Sequence, residues 1–449
     1  MCGIGVYIES DVNFHKMKAR GPDNTIIENI NGISWCFHRL KVNDLRRSGN
    51  QPFVSDEDVL VCNGEIYNHN ELFQYGMMLE GGSDCEIVLH LLKKYHVKNV
   101  CKLLDGEFAF VALINGKFVA ARDVVGVHPL FVGMKNQKVI CFCSEMKGID
   151  DACDEVFQLK PGMYYYDGVI ESYEGLNFHS EIITAFSHRT MRNMLISAVE
   201  KRMAQCEIPM GFFLSGGLDS SLITALAKVV DPNRELYTFS VGIGDSPDVK
   251  YAEIMAAELK SNHTTIKFTF EDGLAILPEV ISALETYDCT TVRASVPMYF
   301  MCKWIKKNTN IKVLLSGEGA DELFGGYLYL HNAASPSQFN KETHNLLKNV
   351  YMHDITRVER CTAAHGLEVR VPFFDKEFIN YVMNIPGEYK KTTIEKEILR
   401  KSFQKFLPHQ ILWRQKNGMS DAVGYSWVDK IKEYCDKIYT NEEFLNEKM

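Results

Sequence analysis

The sequence lacks the features that assign many chains to a class at once. No apolar run approaches the roughly 18 residues that a membrane-spanning helix needs. The amino terminus has no basic segment followed by an apolar one, so we expect no secretory signal peptide. Internal repeats and low-complexity stretches are also missing. These absences argue against a membrane-spanning, a repeat-built or a largely disordered protein.

The cysteines do not form the close pairs that mark many metal and redox sites. The chain has 13 cysteines, and no two of them stand in a Cys-x-x-Cys pair. Cys141 and Cys143 are neighbours on one face if they lie in a strand. Scattered cysteines in a large chain are typical of a reducing compartment, so we expect a cytoplasmic protein with mostly buried thiols.

An excess of positive charge is absent as well. The chain has 49 Lys and Arg against 58 Asp and Glu, which gives a formal net charge of -9. This balance argues against a nucleic-acid partner and against an anionic membrane surface. The chain is long and rich in apolar residues: 449 residues that are 46% hydrophobic can form two or three domains with large cores.

Two different patterns divide the chain. In the first part, short runs such as "VLVCNGEIY" and "QKVICFCSE" predict antiparallel strands, with a helix in "SDCEIVLHLLKKY". In the second part, strands alternate with helices, which predicts a doubly wound parallel sheet followed by a mostly helical end. We therefore predict an α+β domain over residues 2–170, a polar linker over 171–188 and an α/β domain over 189–449.

The opening string "MCGIG" places a cysteine directly after the initiator methionine. Only this cysteine can become the first residue of a processed chain, with a thiol and a free amine on one carbon. Taken alone, such a cysteine is more often inert. The string therefore raises the hypothesis of an amino-terminal nucleophile, which needs support from other motifs.

Two glycine-rich loops follow predicted strands in the second part. The first, "FFLSGGLDSS", lies at a strand-to-helix junction, where unpaired N–H groups and the helix dipole favour an anion. The second is "LLSGEGADELFGGY", which carries Ser316, Gly317, Glu318, Asp321 and Glu322. Either loop could be a plain turn or a solvated acidic face. Together at the carboxyl ends of parallel strands, they favour a magnesium–nucleotide site.

Lys396 lies in "TTIEKEILRKSF", a stretch with helical spacing. From this pattern we predict that Lys396 is on a helix. A lone lysine on a helix is most often an ordinary surface residue. The residues next to Lys396 in the sequence do not assign it a role.

The ordered set of motifs resembles the glutamine-dependent asparagine synthetase family of the bacterial and plant B type. The resemblance runs over nearly the whole chain. Its motifs include "MCGIG", "RGPD", "NGEIYNH", "SDCEIV", "SEMK", "LSGGLDSS", "TTVRAS", "SGEGADELFGGY", "GLEVRVPFFD", "IEKEILR" and, near the end, "WRQKNGMSDAVGYSW". One glycine loop is weak support, whereas this many motifs in this order are very specific.

The resemblance implies two reactions in two domains. The first domain would be an αββα sandwich of the N-terminal-nucleophile type, which hydrolyses glutamine to glutamate and ammonia. The second would be an α/β ATP-pyrophosphatase fold, which converts aspartate and ATP to β-aspartyl-AMP. Ammonia that travels through an internal tunnel would then displace AMP to give asparagine. The implied small molecules are glutamine, aspartate, ATP and Mg²⁺, and the implied assembly is a homodimer.

For the first domain, the resemblance assigns the nucleophile and the oxyanion donors. Cys2 would attack glutamine once Met1 is removed. Its α-amine, with a pKa of about 7.7–8.0, would accept the proton of a thiol with a pKa near 8.5. The Asn63 amide and the Gly64 N–H would donate to the oxyanion, although "NG" is also a hairpin-turn signal.

Free glutamine also needs its α-groups held. By resemblance, Arg39 in "FHRLKVND" would bind the α-carboxylate, a group that suits a bidentate guanidinium. Asp84 in "GSDCE" would bind the α-ammonium, with Glu65 as a helper. Without the resemblance, Arg39 is interpreted as a surface arginine and Asp84 as a helix cap.

For the second domain, the resemblance implies an ATP site built on both glycine loops. Leu214, Val241 and Gly317 would line the adenine and ribose pocket. The residues expected to hold the phosphates are Ser215, Gly216, Gly217, Leu218, Asp219, Ser220, Ser221 and Ser316.

The resemblance also implies the groups that act on aspartate and phosphate. Asp219 and Asp321 would be magnesium ligands, and Lys396 would neutralise phosphate charge. Glu318 would accept a proton from attacking ammonia or orient the intermediate. Arg293 and Glu322 are further candidates for contact with aspartate or phosphate.

Three other classes of protein are alternatives to a glutamine-dependent asparagine synthetase. A β-lactam-forming synthetase shares both folds, but those relatives have lost the amino-terminal cysteine. A glutamine phosphoribosyl amidotransferase shares the first domain and lacks an "SGGLDS" loop. A silent or ammonia-only paralogue would bind ligands without completing both reactions. Loss of Cys2, Asp219 or Lys396 would favour that interpretation, and the sequence retains all three.

Overall fold

The computed structural model describes residues 1–8, 14–72, 81–149, 153–176, 185–204, 206–244, 246–415 and 427–438. Part of the predicted linker, residues 177–184, lies outside these ranges, as does most of the string "KNGMSDAVGYSW".

Two antiparallel six-stranded sheets form the first domain. Their strands are β1 (Gly3–Tyr7), β2 (Asn24–Ile30), β3 (Ile33–Arg39), β4 (Phe53–Ser55), β5 (Asp58–Ile66), β6 (Gly106–Ile114), β7 (Lys117–Arg122), β8 (Phe131–Lys135), β9 (Lys138–Cys143), β10 (Glu155–Gln158), β11 (Met163–Tyr166) and β12 (Val169–Ser172). One sheet has the order β10-β8-β9-β1-β3-β2 and the other the order β12-β11-β7-β6-β5-β4.

Helices flank these sheets and dominate the rest of the chain. The α-helices are α1 (His69–Leu72), α2 (Glu86–Lys94), α3 (Val97–Leu103), α4 (His188–Ala204), α5 (Leu218–Val230), α6 (Pro247–Leu259), α7 (Phe270–Ala275), α8 (Leu277–Leu284), α9 (Cys289–Asn308), α10 (Ala320–Phe324), α11 (Pro336–Asn349), α12 (Asp354–Ala363), α13 (Lys376–Met383), α14 (Gly387–Lys390), α15 (Glu397–Ser402), α16 (His409–Leu412) and α17 (Trp427–Ile438). Short 3₁₀ helices lie at Phe14–Arg20, Arg47–Gly49, Met146–Gly148, Leu328–Asn332, Val350–Met352 and Pro372–Phe374. Within the described ranges, no helix combines the length and the apolar character needed to cross a membrane.

The core of the first domain lies between its two sheets. Alternate strand residues point to one face, so Trp35 and Phe37 of one sheet meet Val61 and Val111 of the other. Helices α2 and α3 pack on the outer face of the second sheet. The 3₁₀ helix Phe14–Arg20 packs on the outer face of the first. The predicted sandwich of two antiparallel sheets between helical layers is confirmed.

The second domain is built on a parallel five-stranded sheet. Its strands are β13 (Met210–Phe213), β14 (Tyr237–Gly242), β15 (Asn262–Lys267), β16 (Val313–Leu315) and β17 (Glu368–Arg370), in the order β15-β14-β13-β16-β17. The direction of winding reverses between β13 and β16, and ligands bind in the crevice that such a reversal opens. The two predicted glycine loops leave these two strands, so the fold brings them together. The predicted doubly wound sheet is confirmed.

The two domains share one interior. Met1, Leu40 and Val42 of the first domain are buried within the apolar core of the second. Charged contacts cross the same boundary, such as Arg202 to Glu107 at 2.8 Å. Removing one partner of a buried ion pair leaves an uncompensated charge, so these contacts fix how the domains sit against each other.

Two local expectations are wrong. The helix predicted to contain Lys396 begins one residue later, and Lys396 has a left-handed backbone with φ of 56°. That conformation is costly for a lysine, and the side chain is 2% exposed rather than on the surface. The hairpin alternative for "NG" also fails, because Asn63 and Gly64 lie inside β5, opposite Ala109 and Phe108.

Candidate active sites

The amino-terminal end of β1 holds the first candidate site. The Leu40 N–H lies 3.4 Å from Cys2 Sγ, and Arg39 is close enough to interact electrostatically with Cys2. Arg20 of the "RGPD" motif donates from Nε to the Cys2 carbonyl at 2.9 Å. Burial raises the pKa of the Cys2 thiol to about 11. The thiol is therefore protonated at neutral pH unless a nearby base removes its proton.

The candidate base is the α-amine of Cys2, and Met1 blocks this amine while it remains on the chain. Its side chain is fully buried, and its ammonium group donates to the Leu367 carbonyl at 3.0 Å. Burial lowers the pKa of this ammonium to about 6. With Met1 in place the nitrogen of Cys2 is an amide, which takes up no proton. A free amine on Cys2 therefore requires removal of Met1.

Strand β5 supplies the predicted oxyanion donors, and it contacts β1 across the sandwich. Asn63 is 1% exposed, and its Nδ2 makes no hydrogen bond to any described residue. A buried donor without a partner costs about 1–3 kcal/mol and calls for an explanation. Beside it, a Cβ on Gly64 would lie 2.2 Å from the Glu107 carbonyl oxygen, so a side chain does not fit there. The pair has the features of a donor site kept for a ligand.

Arg39 is held by the loop that follows β3. Its Nη1 donates to the Arg46 carbonyl at 2.7 Å and to Asn50 Oδ1 at 2.8 Å. These acceptors are neutral, so the positive charge of Arg39 is not cancelled by them. Nη2 donates in turn to the Asn43 carbonyl at 3.4 Å and to the Asp44 carbonyl, so Arg39 holds this loop in place and remains charged.

Two buried carboxyl groups lie at the end of β5. Asp84 Oδ2 accepts from the Ile66 N–H at 2.6 Å. Glu65 Oε2 lies 3.2 Å from Arg370 Nη2. Burial raises the pKa of Asp84 and raises that of Glu65 well above its usual value. A cationic ligand beside these groups would stabilise their charged forms.

The second candidate site is a cleft of about 770 Å³ at the carboxyl ends of β13 and β16. This volume is typical of a small-molecule site. The predicted residues that line it are Leu214, Ser215, Gly217, Leu218, Asp219, Ser220, Val241, Arg293, Ser316, Gly317, Glu318, Asp321 and Lys396. Gly216, Ser221 and Glu322 are not among its lining residues.

Gly216 and Ser221 shape the first loop instead. Gly216 has φ of 70°, and a Cβ there would lie 2.3 Å from the Ala252 nitrogen. Ser221 is fully buried on α5, and its N–H donates to the Gly217 carbonyl at 3.2 Å. The second loop packs tightly on the first, because a Cβ on Gly317 would lie 2.6 Å from the Ser220 nitrogen. Glycine is needed for this close approach.

Lys396 joins the two loops. Its Nζ lies 2.6 Å from Asp219 Oδ2 and 2.5 Å from Asp321 Oδ1. Burial would lower the pKa of Lys396, but the two carboxylates outweigh burial and raise it. The ammonium group is therefore charged, and it holds one carboxylate from each glycine loop.

Glu322 lies behind the cleft. It is 3% exposed and lines a smaller adjoining cavity of about 190 Å³. Its Oε1 accepts from the Tyr327 hydroxyl at 2.5 Å. Burial, with Asp354 and Asp321 nearby, raises the pKa of Glu322 to about 8. Glu322 is therefore largely protonated at neutral pH.

Arg357 and Arg414 are among the cleft-lining arginines to which the sequence assigned no role. Arg357 on α12 lies 2.9 Å from Glu318 Oε2. Arg414, which follows α16, donates to the Gly216 carbonyl at 3.3 Å and pairs with Asp248. Arg357 also pairs with Asp354 three positions earlier on the same helix. Its contact with Glu318 and the pair of Arg414 with Asp248 form only through the fold. The motif string "WRQKNG" was the one available signal for Arg414.

Comparisons with known proteins separate the chain into two matching parts. Residues 1–189 match a glutamine amidotransferase domain, and residues 190–448 match asparagine synthase. An asparagine synthetase [glutamine-hydrolyzing] of Sandersonia aurantiaca is 39% identical over 458 residues, which cover 96% of this chain and 86% of the relative. Asparagine synthetase [glutamine-hydrolyzing] 3 of Arabidopsis thaliana is 38% identical and covers 96% of this chain and 78% of the relative.

The fold and the two sites define a glutamine amidotransferase domain joined to an α/β nucleotide-binding domain. Cys2 lies in the part that matches the first, and the Lys396 cleft lies in the part that matches the second. The chain belongs to the asparagine synthase family. The family resemblance found in the sequence is thereby confirmed.

Proposed function

We propose that the chain is a glutamine-hydrolysing asparagine synthetase. It converts ATP, aspartate, glutamine and water to AMP, diphosphate, asparagine and glutamate. One observation carries the proposal: a single chain places the Cys2 site and the Lys396 cleft in two domains that share an interior. The test is asparagine formation from aspartate, ATP and Mg²⁺, with either glutamine or ammonium as the nitrogen source. If no asparagine forms with either nitrogen source, the proposal is overturned.

Each of the two proposed reactions takes place in its own domain. The proposed glutaminase domain is residues 2–170, the connection is 171–188 and the synthetase domain is 189–449. Strand β12 ends at Ser172, two residues beyond the proposed boundary of the first domain, and α4 begins at His188, where the connection ends.

In the glutaminase reaction, the α-amine that Met1 removal frees takes the Cys2 thiol proton, and the thiolate attacks the side-chain amide of glutamine. Asn63 Nδ2 and the Gly64 N–H donate to the developing oxyanion. Ammonia leaves with the proton, and water then hydrolyses the thioester to glutamate. Arg39 binds the α-carboxylate of glutamine, and Asp84 with Glu65 binds its α-ammonium.

In the synthetase reaction, an aspartate carboxylate oxygen attacks the α-phosphorus of ATP, and diphosphate leaves. Both reactants are anionic, so neutralisation of charge is the main requirement. Lys396 supplies a buried positive charge between the two loops that hold the nucleotide. Ammonia then attacks the β-carbonyl of β-aspartyl-AMP and expels AMP, while Glu318 accepts a proton or orients the intermediate. Arg293, which lines the cleft, is proposed to assist binding of aspartate or phosphate, and Glu322 is proposed to assist from behind the cleft through Tyr327.

Mg²⁺ is the proposed metal, with Asp219 and Asp321 as its protein ligands. Their carboxylate oxygens are the hard donors that Mg²⁺ prefers, and sites beside nucleotides commonly use one or two carboxylates with the phosphates. The residues therefore fit this ion. When bound, it neutralises phosphate charge.

A cytoplasmic homodimer is the proposed state of the protein. All 13 cysteines are free thiols in the structure, which suits a reducing compartment. The monomer mass is 51.2 kDa. Sedimentation of the purified protein at about twice that mass would support the dimer, and sedimentation at the monomer mass would overturn it.

Replacing Asn63 with alanine tests the oxyanion donor. We expect kcat for glutamine hydrolysis to fall about 10²–10³-fold, the usual cost of losing one such donor. Asparagine formation from ammonium should be unchanged, because Asn63 acts only on glutamine. The matched control is Asn31→Ala, which removes an exposed amide in a turn. An unchanged kcat in Asn63→Ala would remove Asn63 from the mechanism.

Blocking the amine of Cys2 tests the proposed base. An alanine inserted between Met1 and Cys2 leaves the Cys2 nitrogen in a peptide bond after processing. We expect glutamine hydrolysis to fall to background and the ammonium reaction to persist.

The same insertion changes how Cys2 reacts with iodoacetamide. With the thiol pKa at about 11, the thiolate fraction and the alkylation rate rise about tenfold per pH unit from pH 7 to 9. The processed native chain should instead be alkylated rapidly at pH 7. Peptide mapping follows Cys2, with the exposed Cys289 as internal reference. Equal rates at pH 7 in the two chains would contradict the role of the amine.

A further inference from the structure

Arg370 lies at the end of β17, between the two candidate sites, and is fully buried. Its Nε donates to Glu368 Oε1 at 2.9 Å, and its Nη1 donates to the Arg202 carbonyl at 2.6 Å. Its Nη2 lies 3.2 Å from Glu65 Oε2. Nε and Nη1 donate hydrogen bonds within the second domain, and Nη2 forms an ion pair across the domain boundary.

On the glutaminase side, the contact is made at Glu65, within the segment that carries the glutamine-binding groups. Gly64 precedes Glu65, and the Ile66 N–H that follows it donates to Asp84 at 2.6 Å. Asn43 Nδ2 also donates to Glu65 Oε2. A displacement of Glu65 therefore moves the backbone next to the oxyanion donor and next to Asp84.

On the synthetase side, the backbone of Arg370 makes the contact. Its carbonyl accepts from the Ser316 N–H at 3.0 Å, and Arg370 pairs with Leu315 in the parallel sheet. Ser316 begins the second glycine loop, whose Gly317 packs against Ser220 of the first. A displacement of Arg370 therefore moves the start of the loop that lines the nucleotide cleft.

We propose that Arg370 is a positioning residue that couples the glutamine site to the nucleotide site. The inference rests on the proposed function, which supplies the two ligands. The chain of contacts is short: one ion pair to Glu65 and one backbone hydrogen bond from Ser316. Only a guanidinium holds Glu65, Glu368 and the Arg202 carbonyl together, because its donors form a rigid fork, whereas a lysine is a point charge.

The coupling is measurable as a binding effect. In a Cys2→Ala background, glutamine binds without being hydrolysed, so the Kd of Mg·ATP can be measured with and without saturating glutamine. We expect glutamine to tighten Mg·ATP binding about 5-fold or more, the lower end of common couplings. By linkage, Mg·ATP should tighten glutamine binding by the same factor.

Arg370→Lys in the same background should abolish this mutual effect while both ligands still bind. The matched control is Lys201→Met, which removes an ion pair to Asp105 across the same domain boundary, together with pairs to Asp375 and Glu377, and contacts neither site. The control should retain the full coupling. If Arg370→Lys fails to fold, Glu368→Gln removes the carboxylate that holds Nε of the guanidinium at 2.9 Å and should weaken the coupling in the same way.

The outcomes separate this inference from the proposed function. Absence of binding by Mg·ATP or glutamine alone would overturn the proposed function and this inference with it. If the Cys2→Ala protein, which retains Arg370, binds both ligands but neither ligand affects the affinity for the other, only the role of Arg370 is overturned. Coupling that survives Arg370→Lys, or that is undiminished in Glu368→Gln, would do the same. Coupling lost equally in Lys201→Met would mean that any weakening of the domain boundary suffices, which also overturns it.

Discussion

Replacing Cys2 with alanine abolishes glutamine-dependent asparagine formation and leaves ammonium-dependent formation intact. The thiol is the atom that bonds to glutamine, so its loss is expected to lower the rate about 10³-fold or more. The nucleotide cleft is built from the second domain, and Cys2 is not among its lining residues. The measurement is asparagine produced from each nitrogen source under saturating aspartate and Mg·ATP.

The matched control for this variant is Cys101→Ala. Cys101 is buried in the first domain on α3, where it packs with apolar residues. The control should retain both reactions, with a modest loss of stability from the smaller side chain. If Cys2→Ala lost the ammonium reaction while its Tm stayed at the native value, the two sites would not be separable as proposed.

Replacing Lys396 with methionine abolishes asparagine formation from both nitrogen sources and spares glutamine hydrolysis. Methionine keeps much of the length and removes the charge. We expect a fall of about 10²–10³-fold, as when a preorganised electrostatic donor is lost. The carboxylates of Asp219 and Asp321 also lose the ammonium that lies 2.6 Å and 2.5 Å from them, so the loops that hold ATP lose their shared contact.

The control for Lys396 is Lys401→Met on α15. Lys401 is exposed and pairs with Glu397 on its own helix, so its change should cost less than about 0.5 kcal/mol. Glutaminase activity of Lys396→Met serves as a measure of folding in the same sample. If glutamine hydrolysis fell as far as synthesis did, the effect of Lys396 would be global unfolding rather than loss of a charge at the cleft.

The architecture was predictable because periodicity and loop chemistry are local properties. Alternating runs predicted the antiparallel strands of the first domain, and the family resemblance implied that they form a sandwich. Strand–glycine loop–helix strings predicted the parallel sheet and the place of its cleft. The candidate residues that line the cleft came from the same strings together with the family resemblance. Asn63 and Gly64 were predicted from the resemblance, and the burial of Asn63 and the tight packing at Gly64 are consistent with the proposed role.

The remaining features depend on tertiary contacts. The helical pattern around Lys396 missed the turn at that residue, where the contacts with Asp219 and Asp321 accompany an unfavourable backbone. Arg357 lies 39 positions from its partner Glu318 in the chain, and their ion pair exists only in the folded state. Arg370 lies in the motif "GLEVRVPFFD", but the sequence predicted no role for it, because its partner Glu65 belongs to the other domain.

The most direct test of the account follows the nitrogen atom. Glutamine labelled with ¹⁵N in its side-chain amide is incubated with the native protein, aspartate, ATP and Mg²⁺, and the asparagine is analysed by NMR. The account predicts ¹⁵N in the side-chain amide of asparagine, with AMP and diphosphate formed in equal amounts. Labelled ammonia and glutamate without asparagine or AMP would contradict the claim that one chain joins the two reactions.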